Sequence, residues 1–207
     1  MAAQVERGVD NIRHGRDDTP DRRAIALGDD SRTWRQLADR SAQVAQALAA
    51  SGVQPFDRVA FIDKNSIEYF EVLFGAAMCN AVDVAVNWRL APAEMAYIIN
   101  DSAASVLVVH HDFATHLAAM RDQLHDVQTV VMIGAPELPS GTLDYEEWVA
   151  AHAPDDPGVV PDDNDVCLQL YTSGTTGLPK GAQLTNANLA AILRSAADWA
   201  MGCLLYT

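Results

Sequence analysis

The segment from Tyr171 to Gly181, YTSGTTGLPKG, concentrates residue types that bind phosphate. Its glycines permit unusual φ values and let backbone N–H groups approach a ligand closely, and successive N–H groups that point the same way form an anion-binding nest. Lys180 adds a positive charge, and hydroxyl groups add rotatable donors. The hydroxyl donors are Thr172, Ser173, Thr175 and Thr176. These residues predict a polyphosphate-binding loop, because four or five hydrogen bonds to charged groups, each worth about 1.5–3 kcal/mol, suffice for nucleotide binding.

The loop differs from the Walker A pattern GxxxxGK[ST]. When the pattern is started at Gly174, Pro179 stands where the second glycine belongs, and Gly181 follows the lysine. This mismatch argues against a P-loop NTPase of the usual kind. Composition alone leaves open a surface loop, rich in glycine and hydroxyl groups, that holds no ligand.

Charge and hydropathy exclude several classes of partner. The 207-residue chain has a net charge of −14 and a pI near 4.6, and phosphate backbones are held by clustered Lys and Arg, so we expect no nucleic acid and no anionic membrane surface. The N-terminus is polar with no apolar region after it, and we expect no signal peptide. The most apolar stretch, residues 72–86, contains Asn80 and Asp83 and is too short to span a bilayer.

Cysteine and histidine spacing gives no metal motif. Cys79, Cys167 and Cys203 lie far apart, without CxxC or Cys/His zinc spacing, which favours reduced thiols and a cytoplasmic location. His110 and His111 are adjacent, and neighbouring side chains of a strand point to opposite faces, so we expect them not to share an ion. We therefore expect no metal site.

Strand and helix patterns alternate along the chain. The apolar, β-branched segments RVAFI, AVDVAV, SVLVV and VQTVVMI predict strands at 58–62, 81–86, 105–109 and 127–133. Helices are expected between them, so the sequence predicts an α/β fold of βαβ units with a largely parallel sheet.

Capping residues and apolar spacing predict where the helices lie. The first helix is expected to start at Thr33, with Gln36 completing a capping box, and to end at Gly52; a short helix is expected from Pro92 to Asn100.

Two further helices are expected to turn one apolar face inward. Asn65 is the predicted cap of a helix through Gly75, whose inward residues are Ile67, Phe70, Leu73 and Phe74. Asp112 is the predicted cap of the next helix, whose apolar face consists of Phe113, Leu117, Met120 and Leu124.

The chain divides into four predicted parts. Residues 1–133 form an N-terminal α/β subdomain, and 134–165, rich in Pro, Gly and Asp, form a variable surface segment with a short helix near 145–151. Residues 166–202 comprise a strand, the loop, and a helix from Asn188 that Gly202 ends. The apolar face predicted for that helix consists of Leu189, Ile192, Leu193, Ala196 and Trp199.

Residues 203–207, CLLYT, resemble one reading frame of a transposase adapter used in sequencing libraries, and we expect them to be a scar from assembly rather than a natural apolar terminus.

The order of residues in the loop resembles the phosphate loop of the adenylate-forming (ANL) superfamily, which includes acyl-CoA synthetases. The resemblance covers residues 32–201 apart from the variable segment, and includes TWRQLADRSAQVAQAL, GVQPFDRVAFIDKNSIEYFEVLFGAAM and LTNANL. Phe56 and Asn80 stand where the family usually has glycine, Ala85 where it has proline, and Asn186 where histidine is common. The implied fold is an incomplete N-terminal part of the large domain of these enzymes.

The resemblance implies an ATP-dependent acyl-CoA synthetase of the AMP-forming type. A carboxylic acid attacks the α-phosphate of Mg-ATP to give an acyl-adenylate and pyrophosphate, and CoA then takes the acyl group. Carried over residue by residue, the nucleotide-binding set is Thr172, Ser173, Gly174, Thr175, Thr176, Gly177 and Lys180. The same resemblance puts the acyl pocket, the Mg²⁺-supporting glutamate, the ribose-binding aspartate and a mobile C-terminal domain beyond Thr207. We therefore assign no catalytic residue and expect this chain alone to be inactive.

The segment VNWRLAPAE at 86–94 looks most like fatty-acyl and related synthetases. Aryl-CoA ligases, acyl-AMP ligases and adenylation domains that serve a carrier protein remain alternatives. So does a chain that binds a nucleotide or a protein partner without catalysis.

Overall fold

The computed structural model describes residues 7–172 and 177–204, with side chains described as far as residue 195, and helices alternate with strands along them. The strands are β1 (Arg23–Leu27), β2 (Asp30–Thr33), β3 (Arg58–Ile62), β4 (Val82–Ala85), β5 (Ala104–His110), β6 (Thr129–Ile133), β7 (Leu143–Asp144), β8 (Val166–Thr172) and β9 (Lys180–Thr185). The helices are α1 (Gly8–Asp18), α2 (Trp34–Ala50), α3 (Ile67–Met78), α4 (Pro92–Asp101), α5 (Ala114–Met120), α6 (Tyr145–Ala150) and α7 (Asn186–Leu204). Short 3-10 turns, His111–Phe113 and Arg121–Gln123, flank α5.

A mostly parallel sheet organises the chain. In the described residues it has seven strands in the order β7-β6-β5-β3-β4-β8-β9. All neighbouring pairs are parallel except β8 and β9, which form an antiparallel hairpin. The predicted α/β fold of βαβ units is confirmed, and the four strand segments predicted before residue 134 all lie in this sheet.

Apolar residues cover both faces of the sheet. Helices α2, α3 and α6 pack on one face, against side chains such as Val59 and Val106. Helices α4 and α5 pack on the other, against Ala60 and Leu107. Because successive side chains of a strand point to opposite faces, a strand buried on both sides must be continuously apolar, which explains segments such as SVLVV.

Of the predicted helix starts, those at Thr33 and Pro92 are confirmed, whereas the caps predicted at Asn65 and Asp112 are wrong. The Thr33 hydroxyl accepts the N–H of Gln36 (3.2 Å), and the Gln36 side chain accepts the N–H of Thr33 (2.9 Å), so the capping box is present. Pro92 is the first residue of α4, as predicted. The prediction of Asn65 as the cap of α3 is wrong, because the hydroxyl of Ser66 accepts the N–H of Tyr69 (3.3 Å) and α3 starts one residue later.

The inward face of α3 also differs from the prediction. Ile67 is buried, but Phe70, Leu73 and Phe74 are only half-buried. The reason is close packing against α2, since a Cβ on Gly75 would lie 2.6 Å from a methyl carbon of Val44. Small side chains therefore occupy the contact, and the aromatic rings lie at its margin. The buried positions of α3 are Ile67, Glu71, Val72, Gly75, Ala76 and Met78.

Asp112 does not cap α5. It lies inside the 3-10 turn that follows β5, and its carboxylate accepts a 2.9 Å hydrogen bond from Lys64. The turn begins at His111 because the side chain of His110 accepts the N–H of Asp112 (3.3 Å). The predicted face holds for three buried residues, Phe113, Leu117 and Met120, whereas Leu124 is half-buried.

The segment 134–165 contributes to the core through α6. Tyr145, Trp148 and Val149 are buried against the sheet, and the indole N–H of Trp148 donates to the Ser51 hydroxyl (3.1 Å). Strand β7 pairs with β6 just before this helix. The predicted division of the chain at residues 133 and 165 stays a prediction.

Helix α7 differs from its prediction in its start, its end and its buried face. It begins at Asn186 rather than Asn188. It runs through Gly202 to Leu204, so Gly202 does not end it. Of the predicted apolar face, Leu189 is half-buried, whereas Ile192 and Leu193 are 54% and 38% exposed. Among the helix residues up to 195, the buried ones are Asn186 and Ala190, one turn apart. Residues 205–207 and the side chains of Ala196 and Trp199 lie outside the described part, and the predicted scar stays a prediction. No helix within the described ranges, α7 included, has both the length and the apolar character needed to cross a membrane.

Candidate phosphate-binding site

The predicted loop joins the two strands of the β8–β9 hairpin. Thr172, the last residue of β8, pairs with Lys180, the first residue of β9, and both are exposed. Gly177 is exposed between them. The structure thus brings together the two ends of the predicted loop. The other predicted residues, Ser173, Gly174, Thr175 and Thr176, lie outside the described residues.

Gly177 and Lys180 have properties that suit an anion. Gly177 has a φ of +141°, a conformation that side-chain-bearing residues rarely adopt. The ammonium group of Lys180 contacts no carboxylate in the part of the chain that the structure describes. An exposed, unpaired ammonium at the base of a glycine-containing loop is available to a phosphate group.

A close contact explains the final glycine of the segment. A Cβ on Gly181 would lie 2.6 Å from the Gln169 amide nitrogen and 3.0 Å from the ring of Tyr171. Gln169 donates a 2.9 Å hydrogen bond to the Tyr171 hydroxyl. Tyr171 and Gly181 face each other across the hairpin. Gly181 is therefore needed so that the polar side chains of β8 can lie over β9.

Sequence reasoning missed the residue that joins this hairpin to the rest of the fold. The Tyr171 hydroxyl donates a 2.6 Å hydrogen bond to the carboxylate of Asp101, the last residue of α4, and Tyr97 donates a longer one (3.4 Å) to its other oxygen. Partial burial, together with the Asp101 charge, raises the pKa of Tyr171, so the phenol stays protonated and donates. No local pattern marks Asp101, because it is separated from Tyr171 by 70 residues.

A cleft of about 440 Å³ lies beside the loop. It is formed by α4, the turn after β4 and both ends of the hairpin loop. Its lining is Asn87, Leu90, Glu94, Ile98, Tyr171, Thr172, Gly177 and Pro179. The cleft lies at the carboxyl ends of β4 and β8, the edge of an open parallel sheet where ligands generally bind.

The two adjacent histidines lie closer together than the sequence argument allowed. Strand β5 ends at His110 and the 3-10 turn starts at His111, so the alternation of side chains stops between them. Their ring centroids are 4.3 Å apart. The stated reason for excluding a shared ion is therefore wrong.

The described cysteines are free. Burial raises the pKa of both Cys79 and Cys167 to about 11, so both are protonated at neutral pH and poor nucleophiles. The side chain of Cys203 lies outside the described part.

Residues 12–204 match the model of a protein family described as AMP-binding enzyme. The match covers the hairpin, the cleft and nearly the whole sheet. The chain belongs to the AMP-binding enzyme family. Solved structures of related enzymes share the predicted α/β fold.

Among sequence relatives of the AMP-binding chain is a fatty acid–[acyl-carrier-protein] ligase, ScoC, of Streptomyces coeruleorubidus, 37% identical over 82% of this chain and 32% of its own length. A feruloyl-CoA synthase of an Amycolatopsis species is 38% identical over 83% of this chain and 32% of its own length. The solved structure of anthranilate CoA ligase AuaEII with anthranoyl-AMP has a TM-score of 0.78 at 29% identity, covering 88% of this chain and 35% of that one. The AMP-binding chain thus spans about a third of the length of these relatives.

Proposed function

We propose that this chain carries the phosphate-binding part of an ATP-dependent acid–thiol ligase. The observation that carries the proposal is the pairing of Thr172 with Lys180 at the base of the glycine-containing loop, beside an open cleft. The solved complex of a relative with an acyl-adenylate supports it, because an acyl-adenylate is the product of the first step of such a reaction.

In the proposed first step, a carboxylate oxygen attacks the α-phosphorus of ATP, and the bond to the β-phosphate oxygen breaks. The products are an acyl-adenylate and pyrophosphate. The proposed role of Thr172, Gly177 and Lys180, with Ser173 and the other predicted loop residues, is to hold the β- and γ-phosphates and offset the charge that grows on the leaving pyrophosphate. The second step passes the acyl group to a thiol and releases AMP.

Mg²⁺ would enter with ATP rather than on a carboxylate of this chain. The ion prefers oxygen ligands in octahedral geometry and binds substrate phosphates. Glu94 is the one carboxylate in the described lining of the cleft, and it already accepts the N–H of Ala91 (2.9 Å). The described lining of this cleft therefore fits a bound polyphosphate better than a resident Mg²⁺ ion.

CoA is the acceptor that we propose, with a fatty or related carboxylic acid as the substrate. The resemblance of VNWRLAPAE to fatty-acyl synthetases and the feruloyl-CoA synthase relative support a CoA ligase. A carrier-protein thiol is the second candidate, because ScoC, the fatty acid–[acyl-carrier-protein] ligase, is 37% identical to this chain. The cytoplasmic location stays a prediction.

Lysine labelling tests the phosphate-binding role on this chain. The sequence contains two lysines, Lys64 and Lys180, so each acts as a reference for the other. We expect tripolyphosphate, without metal, to slow acetylation of Lys180 several-fold and to leave Lys64 unchanged, as read by mass spectrometry. Unchanged labelling of Lys180 at millimolar tripolyphosphate would argue against the proposed site.

Expression of the complete reading frame tests the reaction. Pyrophosphate release is measured with short, medium, long and aromatic acids, with CoA or a carrier protein as the acceptor. Thioester formation with CoA supports the first candidate, and formation only with a carrier protein supports the second. Absence of any acyl-adenylate with all acids would leave a non-catalytic binding role.

A further inference from the structure

The His110–His111 pair and Asp112 form a cluster of metal-ligating groups. One nitrogen of each imidazole and one carboxylate oxygen of Asp112 lie within 4.8 Å of one another. Strand β5 delivers His110, and the 3-10 turn then places the other two side chains beside it. The His110 imidazole is half-buried, whereas the side chains of His111 and Asp112 are each 41% exposed.

The donor atoms are spaced for a small cation. Nε2 of His111 lies 3.5 Å from Oδ1 of Asp112. Ligands of a tetrahedral ion at bond lengths near 2.0–2.1 Å lie roughly 3.3–3.4 Å apart. The other oxygen of Asp112, Oδ2, accepts a 2.9 Å hydrogen bond from the Lys64 ammonium, so Lys64 competes with a bound cation for this carboxylate.

The surroundings orient His110. Its Nδ1 accepts the N–H of Asp112 (3.3 Å) and lies 3.8 Å from a carboxylate oxygen of Asp63, whose side chain is only 6% exposed. The hydrogen bond from the Asp112 N–H fixes the ring of His110, and the nearby Asp63 carboxylate adds negative charge that favours a cation. The charges facing the cluster are thus the carboxylates of Asp63 and Asp112 and the ammonium of Lys64.

Gly134 leaves room for both rings. It follows β6, has a φ of +65°, and a Cβ there would lie 3.3 Å from Nδ1 of His111 and 3.7 Å from Nε2 of His110. The tight contact and the left-handed conformation both disfavour a larger residue. The carboxyl ends of β5 and β6 therefore form an open cradle around the two imidazoles.

From this geometry we propose that His110, His111 and Asp112 bind a divalent transition-metal ion, with Zn²⁺ as the preferred probe and water completing its coordination. Two imidazoles and a carboxylate suit Zn²⁺, Ni²⁺ or Cu²⁺, whereas Mg²⁺ and Ca²⁺ prefer oxygen ligands alone. Strand β5 lies three positions from β8 in the sheet, a distance of roughly 14 Å at the usual strand spacing. The site is therefore separate from the phosphate-binding loop and does not depend on the proposed ligase activity.

The experiment measures Zn²⁺ affinity of the purified chain after removal of any affinity tag, by competition with a chromophoric chelator at pH 7.5. We expect H111Q and D112N to weaken binding by at least about tenfold, because loss of even an outer partner of a metal ligand costs about 10–100-fold in affinity. The matched control is H125Q, which replaces an exposed histidine outside the cluster and should leave the affinity unchanged. Thermal unfolding of each variant shows whether it is folded.

A further variant, K64Q, tests the site while leaving its three proposed ligands in place. We expect K64Q to tighten Zn²⁺ binding, because it removes the positive charge that competes for Asp112. The proposal would be overturned if the wild-type chain bound no Zn²⁺ in the competition assay at 100 µM Zn²⁺. Equal losses in H111Q and H125Q would overturn it too.

Discussion

The hydroxyl of Tyr171 donates a 2.6 Å hydrogen bond to Asp101, and this contact joins the hairpin that carries the proposed phosphate loop to the end of α4. We expect Y171F to reduce the free energy of unfolding by about 1 kcal/mol, the usual net value of one hydrogen bond at a partly exposed site. Amide protons of β8 and β9 should exchange faster. Y97F is the matched control, since the Tyr97 hydroxyl makes only a 3.4 Å contact with the same carboxylate. Equal effects of the two variants on exchange would contradict this role.

The buried carboxylate of Glu71 stabilises the packing of α6 on α3. It accepts a 2.9 Å hydrogen bond from the hydroxyl of Tyr145, and Arg40 contacts it at 3.0 Å. We expect Y145F to cost about 1.5–3 kcal/mol, because a charged acceptor loses a buried donor. We expect R40M to cost more than Y145F but less than the roughly 3–5 kcal/mol of a fully broken buried pair, because the carboxylate loses its closer cation and keeps Arg32 at 3.5 Å. Urea unfolding measures both.

The control for the Glu71 network is E146Q. Glu146 contacts the same Arg40 at 2.9 Å, but its side chain is 66% exposed. Exposed ion pairs contribute about 0–1 kcal/mol, so the control should change the unfolding free energy little. A loss in E146Q as large as that in R40M would show that burial of Glu71 is not the cause.

Phe56 adopts a conformation that favours glycine. Its φ is +72° and its side chain is 49% exposed, so little packing opposes a substitution. A left-handed conformation costs a side-chain-bearing residue roughly 1–2 kcal/mol, whereas glycine loses roughly 0.5–1 kcal/mol in chain entropy. We expect F56G to raise the free energy of unfolding by about 0.5–1 kcal/mol, seen as a higher melting temperature.

Asn80 provides the comparison for Phe56. Its φ is also positive, at +56°, but its side-chain amide donates a 2.9 Å hydrogen bond to Asp165. Asparagine tolerates the left-handed region, so N80G should gain nothing from backbone relief and lose that hydrogen bond. A gain in N80G as large as that in F56G would argue that the side chains, not the backbone, control stability here.

Asp83 makes stability depend on pH. It is fully buried in β4, the Tyr69 hydroxyl donates to it at 3.2 Å, and burial raises its pKa from 3.8 to about 7. Between those values the folded state binds more protons than the unfolded state, so the contribution of Asp83 to stability falls as pH rises through this window and is constant above it. Each pKa unit corresponds to about 1.4 kcal/mol.

The variant D83N removes this titration and keeps an acceptor for Tyr69. We expect the wild type to lose unfolding free energy relative to D83N between pH 5 and pH 8, measured by urea unfolding at each pH. The exposed Asp122 supplies the control variant D122N, which should follow the wild type. Parallel pH profiles for D83N and the wild type would show that Asp83 does not titrate in this window.

Lys180 should matter for turnover in the complete enzyme. Loss of one preorganised donor to developing negative charge typically lowers kcat by about 10²–10³-fold, and we expect K180A to fall in that range. K64A should retain the wild-type rate, because Lys64 pairs with Asp112 outside the cleft. Steady-state pyrophosphate release measures both, and a near-wild-type rate for K180A would remove Lys180 from the mechanism.

Local patterns in the sequence determined the α/β fold and located the loop that we propose binds phosphate. A strand buried on both faces must be continuously apolar, so segments such as RVAFI and SVLVV predicted strands without any knowledge of their neighbours. The Thr33–Gln36 capping box and Pro92 marked helix starts for equally local reasons. Glycines, hydroxyls and Lys180 are contiguous in the chain, which is why the loop itself could be predicted.

Only the tertiary structure decided the features that depend on distant residues. Asp101 meets Tyr171 across 70 residues, and α2 packs so closely on α3 that small residues, not the predicted phenylalanines, face inward. The antiparallel direction of β9 and the place where β5 gives way to a 3-10 turn are likewise set by packing and hydrogen bonds. That turn brings His110 and His111 together, whereas the two-residue period of a strand would have separated them.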